Sequence, residues 1–169
     1  MTGVGVILAA AWVRTSSTDS EGQLSPDGRW LAYSSPQGGN GMRVYLRAIA
    51  GAQPASEMKW QVSAGEAEEP RWRSDGKELY FLSRTDSNRR VQLSSVAIGS
   101  GPNPVGVPQV LFEVNGLRSL STINAFMYSP SADGQRFLMD VFASDVRPTL
   151  DVILNWASTT LNSQVSTLK

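Results

Sequence analysis

Gln23-Leu24-Ser25-Pro26-Asp27-Gly28-Arg29-Trp30-Leu31-Ala32-Tyr33-Ser34 decides the fold, because this stretch returns twice in altered form. The second copy is Pro70-Arg71-Trp72-Arg73-Ser74-Asp75-Gly76-Lys77-Glu78-Leu79-Tyr80-Phe81-Leu82. The third is Met127-Tyr128-Ser129-Pro130-Ser131-Ala132-Asp133-Gly134-Gln135-Arg136-Phe137-Leu138-Met139. Each reads as an apolar strand end, a tight Asp-Gly turn, one or two polar residues and a second apolar strand. Aspartate accepts hydrogen bonds from backbone N–H groups two residues on, and glycine takes positive φ without a Cβ clash. Asp27-Gly28, Asp75-Gly76 and Asp133-Gly134 are therefore structural turn residues that pin hairpins. A ring of carboxylates holding a cation is the competing reading of the three aspartates, and the turn role explains them without it.

The three aspartates are 48 and 58 residues apart. A period of about 40–50 residues with four short strands per unit is the signature of a propeller blade. Strands rising roughly 3.3 Å per residue fit between the turns, whereas no 3.6-residue apolar stripe is sustained long enough for helices. The predicted strands are 22–25, 30–34, 43–49 and 59–62 in the first blade, then 70–73, 78–83, 91–98 and 109–113 in the second. The third blade has 125–129, 136–142 and 150–156, with no evident fourth strand. One apparent extra residue between Pro130 and Asp133 predicts a looser or bulged third turn.

The set SPDGRWLAYSS, KWQVS, EEPRWRSDGKELYFLS, SADGQRFLMD and LNW resembles the TolB-like, WD-type β-propeller repeat. The resemblance is strongest to the version at the C-terminal end of bacterial membrane serine/threonine kinases, and it runs from about Glu21 to Trp156. It implies an all-β fold of about three four-stranded antiparallel blades, a partial propeller or half of a dimeric ring. It also implies a non-catalytic sensing or interaction role, outside the cytoplasm if the chain follows the family, and it transfers no catalytic residue. On this reading residues 1–20 are an apolar strand and linker, 21–156 the blades and 157–169 a flexible tail.

Composition narrows the function. Fifteen basic and 15 acidic side chains cancel, so no long-range field draws nucleic acid or an anionic membrane. Fifteen Gly and nine Pro suit a turn-dense chain. Absence of cysteine removes disulfide and thiol chemistry, and absence of histidine removes the commonest general base and metal ligand. A Ser-His-Asp triad is thereby excluded. No nucleophile elbow, phosphate-binding loop or kinase catalytic motif appears. No cofactor or metal is expected. The alternative to an interaction module is the propeller segment of a hydrolase, prolyl-peptidase-like or glycan-active, whose chemistry would lie in another domain.

The apolar run Met1–Val13 lacks a preceding Lys or Arg and is interrupted by Arg14, so a secretory signal or the end of a membrane anchor is the weaker of two readings. It reads as a buried strand and as a candidate outer strand for the last blade. Gly3 and Gly5 begin a dinucleotide fingerprint, but the third glycine and the βαβ unit are missing. Three blades do not complete a circle, since closed propellers hold roughly four to eight. An open arc exposes apolar faces and edges, so the chain is expected either to belong to a larger propeller or to pair as three blades plus three.

Glu66, Glu68 and Glu69 are the densest acidic cluster and precede the inner strand of the second blade. A solvated loop is the plain reading; the functional one points Glu68 or Glu69 into the channel to bind a cation or a basic partner, with Arg71 and Trp72 as further candidates there for a protein, peptide or small solute. Trp30, Trp60, Trp72 and Trp156 are expected to fill wedges between blades. Arg84, Arg89 and Arg90 border a hairpin tip, and a neutral chain makes them a poor nucleic-acid patch.

Overall fold

A computed structural model describes residues 19–36, 41–50, 53–84, 91–115, 117, 126–141, 150–154 and 166–167 of the chain, the last two ranges and residues 50 and 53–57 by backbone alone. The described residues form three four-stranded antiparallel sheets and no helix. The first contains β1 (Ser20–Leu24), β2 (Trp30–Ser35), β3 (Arg43–Ala50) and β4 (Gln53–Gln61) in chain order. The second contains β5 (Ala67–Trp72), β6 (Glu78–Arg84), β7 (Val91–Ala97) and β8 (Gln109–Val114), again in chain order. The third contains β9 (Tyr128–Pro130), β10 (Arg136–Asp140), β11 (Leu150–Leu154) and β12 (Ser166–Thr167). The inner strand β5 lies against both β1 and β9, so the sheets radiate from a shared hub as the repeat predicts.

Alternation along the strands explains the stacking. In β6, Leu79 and Phe81 point towards the first sheet while Tyr80 and Leu82 point towards the third. The middle sheet is dry on both faces, so β6 reads as an unbroken apolar run. Ala32, Val44 and Leu46 meet Leu79, Phe81 and Val96 across one seam, with Trp30, Trp60 and Trp72 packed at its margin. Across the other, Tyr80 and Leu93 meet Tyr128, Phe137 and Met139, with Tyr80 edge-on to Phe137 at 4.9 Å. Each such side chain contributes about 1.5–3 kcal/mol on burial. Trp30, Trp60 and Trp72 thus sit where wedge-filling required them; Trp156, the fourth expected there, lies outside the described residues.

The outer faces differ. Leu31, Tyr33 and Tyr45 form a separate buried cluster on the far side of the first sheet. On the far side of the third, β10 presents Arg136, Leu138 and Asp140 to solvent.

All three turns have one geometry. Gly28, Gly76 and Gly134 have φ of 69°, 69° and 70°. Each aspartate accepts from the N–H two residues on: Arg29 at 3.1 Å, Lys77 at 3.0 Å and Gln135 at 3.0 Å. The looser third turn is thereby corrected. Ser131, not Pro130, is the counterpart of Ser25, and both hydroxyls bond the turn aspartate, so nothing is inserted. Ser25 donating to Asp27 and Arg73 donating to Asp75 are the leading reasons both carboxyls are held down at about 2.

Two strands depart from expectation. β4 begins at Gln53 rather than 59 and tolerates Pro54 because an outer strand needs no N–H on its free side. The third sheet gains its outer strand from Ser166–Thr167, paired with Asp151 and Val152 of β11. That slot was expected to suit the N-terminal run, which lies outside the described residues.

Candidate functional site at the hub

The hub is organised by two glutamates. Glu21 in β1 and Glu69 in β5 each sit at a bulge, where pairing slips between Ser20 and Gln23 and between Glu68 and Arg71. Both have φ of 58°, a left-handed conformation that non-glycine residues adopt at a cost of about 1–3 kcal/mol. Each lies six residues before the aspartate of its turn, and the counterpart in the third repeat is Met127.

The bulges aim these carboxylates at the next blade. Glu21 Oε2 accepts from the Glu69 backbone N–H at 2.7 Å and from Ser34 Oγ at 2.7 Å. Glu69 Oε2 accepts from the Met127 N–H at 2.7 Å, and the Tyr128 hydroxyl donates to the Glu69 carbonyl at 2.9 Å. Each seam is therefore latched by an acid from one inner strand bonded to an amide of the next. Each latch gives a buried backbone N–H an acceptor it would otherwise lack, so the strained bulge is offset where it forms. The third repeat receives a latch but, with methionine at position 127, carries no acid to extend one.

Glu69 is 2% exposed, so the solvated-loop reading fails for it. Burial pushes its carboxyl up to about 7, opposed by the Met127 N–H and reinforced by the Glu21 and Glu68 charges. Glu68 is half-buried; burial and then Glu21 raise its carboxyl, while Arg84 opposes them. Burial also lowers the Arg71 guanidinium pKa, against the pull of Tyr128, Glu69 and Glu21, and the group stays charged. The Arg71 guanidinium carbon lies over Phe126, 3.3 Å from the ring centroid, and Nε has no hydrogen-bond partner. Trp72 turns away into the first seam and donates Nε1–H to the Gln23 carbonyl at 3.1 Å.

The structure thus separates the residues singled out by sequence. Glu69 and Trp72 are seam residues, and the six turn residues lie at the corners. Glu68 and Arg71 remain half-buried polar groups at the hub. Sequence reasoning missed Glu21, Ser34, Phe126 and Tyr128. The recoverable signal was the shared position of Glu21 and Glu69 ahead of their Asp-Gly turns.

A groove of about 580 Å³ lies away from the hub, between Lys59–Ala64 and the segment carrying Asn103, Val105 and Pro108. Its Trp60 wall is braced edge-on against Trp30 at 5.6 Å. Among the described residues no cluster of acids could hold a metal ion, and no helix is long and apolar enough to cross a membrane.

No protein-family model matches the chain, and no curated protein matches it. Solved structures do. The chain is similar to TolB from Acinetobacter baumannii, with a TM-score of 0.58 and 15% identity, over 86% of this chain and 31% of that one. It is also similar to the β-propeller domain of the Trilobed protease from Pyrococcus furiosus, described as having an open velcro topology. There the TM-score is 0.55 and the identity 13%, over 89% of this chain and 43% of the other. The chain spans less than half the length of either. At such identities the likeness is one of fold, and with the radial sheets and shared hub it makes this chain an all-β arc of propeller blades.

Proposed function

We propose that this arc is a non-catalytic interaction module that meets a protein, peptide or small solute at its hub. One observation carries the reading: the inner strands converge while the acids that could do chemistry there are used as latches. Glu21 and Glu69 are bonded to backbone, which leaves Glu68 and Arg71 as the polar groups offered to a ligand. Neither pairs with a histidine or cysteine, since the chain has none, so binding rather than turnover is what the hub is equipped for. The finer reading rests on the repeat resemblance: the module is the C-terminal sensor part of a larger bacterial signalling protein of the kinase type.

Photo-crosslinking tests this reading. A benzophenone side chain at position 68 is expected to capture a discrete partner in the source bacterium, and one at the exposed rim residue Val110 is not. Equal capture at both positions, or ester or peptide hydrolysis that disappears in hub variants, would overturn it.

A further inference from the structure

Arg71 stands apart from the other arginines near a seam. Arg29 is paired with Asp27, Arg73 with Asp75 and Glu78, and Arg84 with Glu66. Among the described residues Arg71 has no acid within ion-pair distance, although Glu21 and Glu69 are close enough to act on its charge. Both carboxylates are turned away and bonded to the Glu69 and Met127 amides. The guanidinium is held over the Phe126 ring, with Nε buried and unbonded. A partly desolvated, aromatic-backed guanidinium is a pre-organised fork for a planar anion, because little side-chain freedom is lost when the anion binds.

We propose that Arg71, backed by Phe126, is a receptor for a peptide carboxylate, either a chain terminus or an Asp or Glu side chain. This deepens the hub-binding reading and rests on it. Carboxylate geometry matches the fork in a bidentate pair. A doubly charged phosphate would be repelled by the neighbouring Glu21 more strongly than a carboxylate, whose single charge the Arg71 guanidinium can balance. The partner is thus an acidic or free-ended peptide segment entering at the hub between the second and third blades.

The test uses the full chain uniformly labelled with heavy nitrogen, following the Arg71 Nε–H resonance and the Met127 and Tyr128 amides by NMR. Probes are acetyl-glycyl-glycine, its amide, an acetylated and amidated peptide with one internal glutamate, inorganic phosphate, and sodium chloride at matched ionic strength. A saturable shift with a millimolar constant is expected from carboxylate probes, and none from the amide or chloride. The free-ended and internal-glutamate peptides decide which carboxylate source is preferred. Arg71→Met, which keeps the stem, should abolish the response at the Met127 and Tyr128 amides. Arg71→Lys should weaken it at least several-fold, because an ammonium cannot form the fork, and Phe126→Leu should weaken it with the charge intact. No saturable shift, phosphate binding as tightly as carboxylate, or an undiminished amide response in Arg71→Lys would overturn the proposal. A hub that captures a partner while Arg71 ignores carboxylates sinks only this inference. Carboxylate binding at Arg71 with no capture at the hub sinks the wider reading instead.

Discussion

Raising the pH should weaken the seam between the second and third blades, and Glu69→Gln should remove that weakening. The Glu69 carboxyl is 2% exposed and titrates at about 7, against 4.5 for the free group. Below 4.5 the group is protonated in both folded and unfolded chains, and its contribution is flat. Between 4.5 and about 7 the folded chain keeps a proton that the unfolded chain has released, so stability falls as pH rises. Above 7 both forms are ionised and the loss is complete. The gap corresponds to about 3 kcal/mol, at 1.36 kcal/mol per tenfold change in proton affinity. Glutamine is neutral throughout, and its carbonyl still accepts from the Met127 N–H. Any cost of burying the amide shifts the variant's curve without tilting it. The assay is urea unfolding at several pH values from 5 to 8, reading the wild-type minus variant difference so that Glu68 and the turn aspartates cancel. Stability of the wild type relative to the variant should fall steadily towards pH 7 and then level off. Parallel curves, or a wild type that gains on the variant as pH rises, would refute the placement of a desolvated carboxyl in the seam.

Three further outcomes follow from geometry. Alanine at the turn glycines should give a graded series in thermal melts. At Gly28 the new Cβ meets nothing within 4 Å, so only the left-handed backbone is strained, at about 1 kcal/mol. At Gly76 it meets Pro26 Cδ at 3.4 Å and the loss should be similar. At Gly134 it would collide with the hydroxyl of the buried Tyr80, and the loss should be several-fold larger; equal losses at all three would contradict the blade contact. Glu21→Ala strips the acceptor from the Glu69 amide and Ser34, and should cost about 2–4 kcal/mol in chemical denaturation. Tyr128→Phe removes the hydroxyl bond to the Glu69 carbonyl and should cost about 1–2 kcal/mol, with amide exchange increasing at the second seam rather than the first.

The architecture was legible because its decisive residues act locally. Asp27, Asp75 and Asp133 bond their own neighbours, so short spacing alone identifies the corners. Leu79, Tyr80, Phe81 and Leu82 announce a strand dry on both sides. The hub was much less legible. Glu66, Glu68 and Glu69 look alike as a charge run, yet a bulge turns Glu69 inward while Glu66 pairs with Arg84 at 3.4 Å. A single slipped residue reverses every facing beyond it, so alternation counted from Trp72 misplaces the acids. The latches join residues 48 and 58 positions apart, beyond any local pattern. The third turn was misjudged because Pro130 was matched to Pro26, when hydroxyl bonding pairs Ser131 with Ser25.

The repeated latch bears on how such a chain can grow. Each seam is self-contained in the repeat: an acid six places before an Asp-Gly corner faces outward to the following neighbour, and an amide at the same place faces back to the preceding one. A duplicated copy of the second repeat, inserted after itself, would bring both halves of the fitting and leave existing junctions chemically unchanged. Lengthening the arc beyond the third repeat would meet the methionine thioether of Met127 instead of a carboxylate. Gene duplication is therefore tolerated more readily within this array than at its far side.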